Sequence, residues 1–244
     1  MAKAVLPPSA AHVFVPDLSA PSLGGDDLRH LERVLRLRPG QTVTVSDGDG
    51  RWRACRWRAG GDLEPAGPAE EEPAPVPTVT IGFALTKGER PDWVVQKLTE
   101  VGVDEIVPFR GIRSVVRWDE AKAAVQVERW RRVAREAAMQ SRRVRLPHVA
   151  EVAGFADVVG RLGAAAGLAV PGGAGPSLER PALLVGPEGG WDQAELDAGP
   201  PAVGLGPTVL RAETAAVAAG VVLCGLRSGI IRPAGAEPGY SHTP

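Results

Sequence analysis

Apolar residues recur along this chain with two different periods, and the change between them divides it. In the first sixty residues the apolar runs are short. His12 to Val15 reads as a strand, and Gly25 to Arg38 as a helix with Leu28, Leu31, Val34 and Leu35 on one face. Its other face carries Arg29, Arg33, Arg36 and Arg38, for which a solvated surface is the plain explanation. Gln41 to Ser46 and Arg51 to Trp57 flank the turn Asp47-Gly48-Asp49-Gly50, which is hairpin chemistry. Val43 and Val45 share a side in the first run; in the second, Trp52, Ala54 and Arg56 oppose Arg51, Arg53 and Trp57. These elements predict a small β-rich unit. Gly60 to Pro77 is rich in proline, glycine and acid and has no periodicity, so it reads as a linker or extended surface loop. The expected division is therefore 1–75 for the first unit with its linker, 76–235 for the second, and 236–244 as a disordered tail.

From Thr78 onward strand and helix patterns alternate. T-V-T-I-G-F-A-L-T predicts a strand with Val79, Ile81, Phe83 and Leu85 on one face, and Lys87 follows it. Pro91 to Val101 predicts a helix with Val94, Leu98 and Val101 inward and Gly102 as C-cap; Lys97 and Glu100, three apart, suit a surface ion pair. Asp104 to Phe109 reads as a strand, and Arg110 to Arg117, which includes Arg113, as a loop and strand. Val127 to Ser141 reads as a helix with Val127, Trp130, Val133, Ala134 and Ala137 inward. An amphipathic stretch, Phe155 to Leu162, precedes a short strand, Gly167 to Val170, and the loop P-G-G-A-G-P. Such alternation predicts a parallel sheet with helices on both faces.

The densest signal lies between Pro181 and Gly225. Ala182 to Val185 is a short apolar run bounded by proline and glycine, hence a buried strand. The turn Gly186-Pro187-Glu188-Gly189-Gly190 follows, then Trp191 and the pair Asp192 and Glu195, spaced as a capping box. A second, similar arrangement comes next: Val203 to Leu205, a break at Gly206-Pro207, then Leu210 to Thr214 leading into a segment that is apolar all round until Arg227. That helix is expected to be buried on every side, with Thr214 as N-cap and Glu213 near its positive end. Either turn alone could be an ordinary tight connection; two of them about twenty residues apart suggest one pocket.

Composition changes this picture at a few points. A hydrophobic share of 44% and a charged share of 23% suit a soluble globular protein. The longest apolar run, Ala215 to Leu226, falls short of the roughly 20 residues of a membrane span. The amino terminus shows no secretory signal, and Cys55 and Cys224 are too isolated for a disulfide framework or zinc site, so a cytoplasmic protein is expected. A net charge of −1 argues against nucleic acid until its distribution is considered. Lys plus Arg outnumber Asp plus Glu by 14 to 9 over residues 86–145, against 9 to 11 before and 5 to 9 after, so positive charge gathers in the middle.

The pair L-L-V-G-P-E-G-G-W and L-G-P-T-V-L-R-A-E-T-A-A resembles the C-terminal signature of the SPOUT methyltransferases, most closely the ribosomal RNA small subunit methyltransferase E family. Thr208 and Val209 replace an Arg-Ile pair usual in that family. The resemblance implies methylation of N3 of a uridine in 16S ribosomal RNA with S-adenosylmethionine, a knotted C-terminal domain, an N-terminal PUA-like barrel that holds RNA, and a homodimer. Absence of a G-x-G-x-x-G fingerprint and of a P-loop fits, as does Glu188, which would repel a polyphosphate but not a cationic adenosyl cofactor. The implied cofactor pocket takes Leu168 and Val170, the turn residues Gly186, Pro187, Glu188, Gly189 and Gly190, and Leu205, Gly206, Leu210, Thr214 and Ala215. Arg211 is the candidate to stabilise the uracil anion; Glu213 is either a proton acceptor or an ion-pair partner of Arg211. RNA contacts are expected from Arg29, Arg33, Arg36, Lys87, Lys97, Arg113, Gln140, Arg142 and Arg143, the last two within the family-like run from Glu136 to Arg143 and its neighbourhood. Competing readings are a SPOUT enzyme acting on another RNA, such as tRNA, and a non-catalytic RNA-binding protein.

Overall fold

A computed structural model describes residues 6–232 of the chain; the expected tail at 236–244 lies outside the described residues. Two sheets organise it. The first comprises β1 (Ala11–Phe14), β2 (Thr42–Ser46), β3 (Arg51–Trp57), β4 (Leu63–Pro65) and β5 (Glu70–Glu71). Its order is β1-β2-β3-β4, with β5 also on β3; β1 runs parallel to β2 and the other pairs are antiparallel. The predicted hairpin is β2–β3, with Thr42 opposite Arg56 and Ser46 opposite Trp52. Val13, Val43, Val45, Cys55, Trp57 and Leu31 pack into its core.

Two expectations fail here. Residues 60–77 are not a free linker, because β4 and β5 lie in them and pair with β3; strands of two or three residues leave no readable alternation. The helix expected over Gly25 to Arg38 is only α1 (Gly25–Arg29), followed by one π-helical turn, His30–Val34. That wider turn carries the residues after it off the core face, so Leu31 is buried while Val34 and Leu35 are 66% and 44% exposed.

The second sheet comprises β6 (Thr80–Ala84), β7 (Glu105–Arg110), β8 (His148–Val149), β9 (Ala153–Gly154), β10 (Ala166–Ala174), β11 (Ala182–Val185) and β12 (Ala202–Val203). Every pairing is parallel, in the order β12-β10-β11-β6-β7-β8 with β9 also on β7. The helices are α2 (Arg90–Val101), α3 (Glu120–Gln140), α4 (Phe155–Leu162), α5 (Gln193–Ala198) and α6 (Ala212–Ser228). One sheet face presents Val79, Ile81, Phe83 and Leu85 to α2, α3 and α6. The other presents Phe109, Leu168 and Leu184 to Val158 and its neighbours on α4. Gly102 ends α2 in the left-handed region at φ 100°, as its type predicts.

Among the differences from expectation, residues 111–119 contain no strand, and α3 starts at Glu120, capped by the Asp119 side chain, rather than at Val127. β10 continues through Pro171 and the glycines expected to be loop, because Gly173 lies so close to Ala202 and Val203 that an added Cβ would meet their backbone at 2.6 Å. The N-cap of α6 is Arg211, three residues before Thr214. Nor is α6 buried all round: Ala216, Ala219, Gly220, Leu223 and Cys224 face the core, while Val221 is 45% exposed and Val217 and Ala218 are half-buried.

The C-terminal end of α3 fastens the sheets together. Arg135 donates to both carboxylate oxygens of Asp27 at 3.0 and 2.7 Å and to the Phe14 carbonyl at 3.1 Å. Just beyond the helix, the Ser46 hydroxyl donates to the Val144 carbonyl at 2.6 Å, and Arg145 donates to the Glu72 carbonyl.

Candidate active site

The strand order puts β11 between β10 and β6, although β10 and β11 come last of the three in sequence. In such parallel sheets ligands sit beyond the carboxyl ends of the strands, where the winding direction changes. The first turn leaves β11 there. Gly186 lets the chain pass the Trp191 ring, which an added Cβ would meet at 3.0 Å. Gly190, at φ 73°, closes the turn by donating to the Pro187 carbonyl at 2.9 Å. The capping box forms as spaced: Asp192 accepts from the Ala194 amide at 3.1 Å, and Glu195 accepts from the Asp192 amide at 2.9 Å.

Glu195 does more than its spacing suggested. It is 2% exposed, and its second oxygen accepts from the Ile112 amide at 2.8 Å, tying the loop after β7 to the turn. Arg113 in that loop reaches Asp192 at 3.3 Å and the Gly189 carbonyl at 3.4 Å. Trp191, absent from the expected site, donates to the Ala169 carbonyl at 3.0 Å and stacks on Phe109, so it braces the turn against β10 and β7.

The second turn, between β12 and α6, faces the first across a cavity of about 430 Å³. Its wall includes Val170 from β10, Trp191 from the first turn and Leu205, Gly206, Leu210 and Arg211 from the second. Gly206 is in a left-handed-side conformation, φ 146°, with open space where a Cβ would stand. Among the described residues, the amides of Leu205, Gly206, Leu210 and Arg211 donate to no other group of the chain. Apolar walls with unengaged backbone donors suit a flat heteroaromatic ligand.

Of the twelve residues expected to hold cofactor, Val170, Gly186, Pro187, Glu188, Gly190, Leu205, Gly206, Leu210 and Ala215 line this cavity; Leu168, Gly189 and Thr214 do not. Leu168 is 1% exposed in the core against α4, on the same strand face as Val170 but two residues farther from the carboxyl end of β10. Gly189 backs onto Arg113, and Thr214 lies in the first turn of α6 rather than at its cap, with its residue exposed. Ala169, Pro171, Val185, Thr208, Val209 and Ala212 join the wall, residues whose types carry no chemical signal.

The charges pair differently from expectation. Arg90, at the start of α2, lies 2.5 Å from Glu188 and 3.8 Å from Glu213, and no Arg211–Glu213 pair forms. Glu213 stands outside the cavity wall, with one oxygen inaccessible and without a donor. Arg211 lines the cavity, is exposed, and has no carboxylate partner among the described residues.

The basic residues expected at RNA separate into two groups. Arg33, Arg36 and Lys87 are exposed; Arg29 is also exposed, beside Asp26, and Arg142 is exposed with a hydrogen bond to the Ser9 carbonyl. Lys97 is held by both oxygens of Glu100 at 2.8 Å and shares with Gln140 a polar groove between α2 and α3. Arg143 is taken out of the set: its guanidinium donates to the Thr99 and Val103 carbonyls at 2.8 Å and faces Asp104, and its side chain is only 12% exposed. Burial pulls its pKa below the usual guanidinium value, partly countered by Asp104. Three arginines in four residues gave no sign of which would turn inward.

Residues 72–223 match the family model described as RNA methyltransferase domain, and residues 23–56 match an RNA methyltransferase PUA domain. The ribosomal RNA small subunit methyltransferase E of Mycobacterium bovis is 39% identical over 84% of this chain and 86% of its own length. The chain belongs to the ribosomal RNA small subunit methyltransferase E family. The Bacillus subtilis member is 30% identical over 80% of this chain and 85% of its own. The crystal structure of the Neisseria gonorrhoeae member, described as bound to S-adenosyl methionine, matches 88% of this chain and 97% of its own with a TM-score of 0.75 at 27% identity. The family's expected α/β fold, with a parallel sheet and a PUA-like N-terminal unit, is therefore the fold of this chain. No helix among the described residues is long and apolar enough to cross a membrane, and no cluster of metal-ligating side chains occurs among them.

Proposed function

We propose that this chain methylates N3 of a uridine in 16S ribosomal RNA, using S-adenosylmethionine, in the cytoplasm where the small subunit is made. The observation that carries the reading is a single cavity with both glycine turns on its wall and an unpaired arginine, Arg211, beside them. S-adenosylmethionine supplies a methyl group activated by a sulfonium. The backbone amides of the second turn suit the adenine edge, and Val170, Leu205, Leu210 and Trp191 suit the faces of the ring.

Methyl transfer forms the N3–CH3 bond as the sulfonium's S–CH3 bond breaks to leave a neutral thioether, and the N3 proton passes first to solvent water, with charge spreading to the two uracil oxygens. Arg211 stabilises that charge, and positioning of the acceptor supplies much of the remaining rate. Glu213 orders the wall through Arg90 and is assigned no proton. The N-terminal unit, residues 1–75, holds RNA with Arg29, Arg33 and Arg36; Lys87, Arg113, Arg142 and the groove of Lys97 and Gln140 extend the contact toward the catalytic unit, 76–235. The chain works as a homodimer with α6's outward residues Val217, Ala218 and Val221 in the contact, and its catalytic unit carries the knot of its family.

The test is nucleoside mass spectrometry of 16S rRNA from a strain lacking this protein, complemented with the native chain or with Arg211→Ala. The native chain restores 3-methyluridine and Arg211→Ala does not, while still binding cofactor. Unchanged 3-methyluridine in the deletion strain sinks the reading.

A further inference from the structure

We propose that Arg90 is a positioning residue of the methyl-transfer site: it occupies Glu188 and Glu213 so that neither carboxylate captures the Arg211 guanidinium. The inference rests on the reading of Arg211 given above. Arg90 is the first residue of α2, where the helix's unpaired amides carry partial positive charge and a cation is disfavoured. The N-cap before it, Glu89, makes no side-chain hydrogen bond, and the acid of the first turn, Asp92, is engaged by Arg129 and by the Trp130 indole N–H. A cation at such a place breaks a local rule, and broken local rules gather at functional sites.

What compensates Arg90 is its position between two carboxylates from different elements. One is Glu188, on the cavity wall after β11; the other is Glu213, in the first turn of α6. Both have a second cation nearby in the chain's layout. Glu188 shares the cavity wall with Arg211, and Glu213 follows Arg211 by two residues. Arg211 is the N-cap of α6, with extended backbone angles, φ −66° and ψ 154°, and shares the cavity wall with Glu188. Glu213 also carries an inaccessible oxygen with no donor, and a buried acceptor in that condition draws in any donor within reach. With Arg90 present, its guanidinium hydrogen-bonds Glu188 and lies 3.8 Å from Glu213, and Arg211 has no carboxylate partner among the described residues. With Arg90 absent, two carboxylates compete for Arg211, and the group meant for substrate becomes part of the wall.

The experiment uses the full chain with Arg90→Met, Arg90→Lys, and the doubles R90M/E213Q and R90M/E188Q, each checked for native circular dichroism. Arg90→Gln replaces the methionine variant if that one misfolds. Two readouts are taken: single-turnover methylation of 16S rRNA, and the rate at which phenylglyoxal modifies Arg211, followed by peptide mass spectrometry. R90M slows methyl transfer by about tenfold or more, with cofactor affinity within about threefold of native, and shields Arg211 from phenylglyoxal. Removing the charge of Glu213 or of Glu188 leaves one competitor and recovers part of the Arg211 labelling, R90M/E213Q also recovers part of the methyl transfer, and R90K keeps most of the native behaviour. The proposal is overturned if R90M leaves both readouts within about twofold of native, or if both doubles shield Arg211 from phenylglyoxal as fully as R90M does. Should the native chain fail to methylate RNA, the functional reading falls, and the phenylglyoxal series still decides whether Arg90 keeps Arg211 unpaired.

Discussion

At the scale of single residues, position in the fold overrides residue type. Arg211 and Arg143 are both arginines in stretches that resemble family motifs, yet one lines the cavity and the other is enclosed by backbone carbonyls. Replacing Arg211 with alanine is expected to reduce methyl transfer by about 10²-fold or more, the usual cost of losing a preorganised group at a developing anion. Calorimetric cofactor affinity should change little; a parallel loss would make Arg211 a cofactor ligand instead. His12 shows the same principle in stability. Its Nε2–H donates to the Arg143 carbonyl at 3.0 Å, so Nδ1 is left to accept from the Thr44 hydroxyl at 2.9 Å, and the ring is neutral. Burial lowers its pKa to about 4, opposed by the bond to the Arg143 carbonyl and aided by the charge of Arg142. Between the unfolded value of 6.5 and that folded value the unfolded chain binds the extra proton, so stability is full above pH 6.5 and falls as pH drops toward 4. The loss is at most about 3 kcal/mol. Urea midpoints measured from pH 7 to pH 4 check it, and His12→Gln should flatten that slope.

At the scale of elements, a terminus often serves two elements at once. The capping carboxylate of α5, Glu195, holds its own helix with one oxygen and the loop after β7 with the other. Glu195→Ala leaves two backbone amides without their acceptor, one of them in the loop that carries Arg113. A cost of about 2 to 4 kcal/mol is expected, at the upper end of cap and buried hydrogen-bond losses, read as a drop in the denaturation midpoint. The loss should exceed that of Asp192→Ala, which removes the exposed Arg113 contact but leaves the buried Ile112 amide bonded; equal losses would show that the loop gains nothing from Glu195. In the same turn, Gly186→Ala presses on the Trp191 ring at 3.0 Å and should weaken cofactor binding more than it lowers stability. The outer side of α6 makes a different kind of prediction. A charge placed at Val221, which is 45% exposed, should cost the monomer little and shift the sedimentation of the proposed dimer to that of one chain.

For the whole molecule, the relevant fact is that α3 joins the two sheets. Arg135, His12 and Ser46 make contacts across that junction, and losing Arg135 removes an ion pair that is 33% and 15% exposed on its two sides. Cofactor binding should be felt as one cooperative gain. At a hundredfold excess over its dissociation constant, S-adenosylmethionine should add about 2.7 kcal/mol, or roughly 5 to 10 °C in melting temperature. The thiols should contribute nothing to these curves. Cys55 and Cys224 are buried in separate cores, and burial pushes both pKa values up to about 11, so neither reacts without unfolding.

What this amino-acid sequence determined by itself are the features that depend on neighbours along the chain. The 2-residue period of β6, the apolar run of β11, the glycine end of α2 and the capping box of α5 all follow from local spacing, and all are present. So does the nearness of the two glycine turns to one cavity, because each follows a strand of one parallel sheet. Tertiary structure decided what spacing leaves open. The brief strands β4 and β5 exist only because β3 offers them an edge, and the π turn after α1 is set by what Leu31 must reach. Which arginine is buried, and which carboxylate belongs to Arg90, are matters of residues far apart in the chain meeting in space. Electrostatic and packing energies depend on that distance in space, and separation along the chain does not encode it.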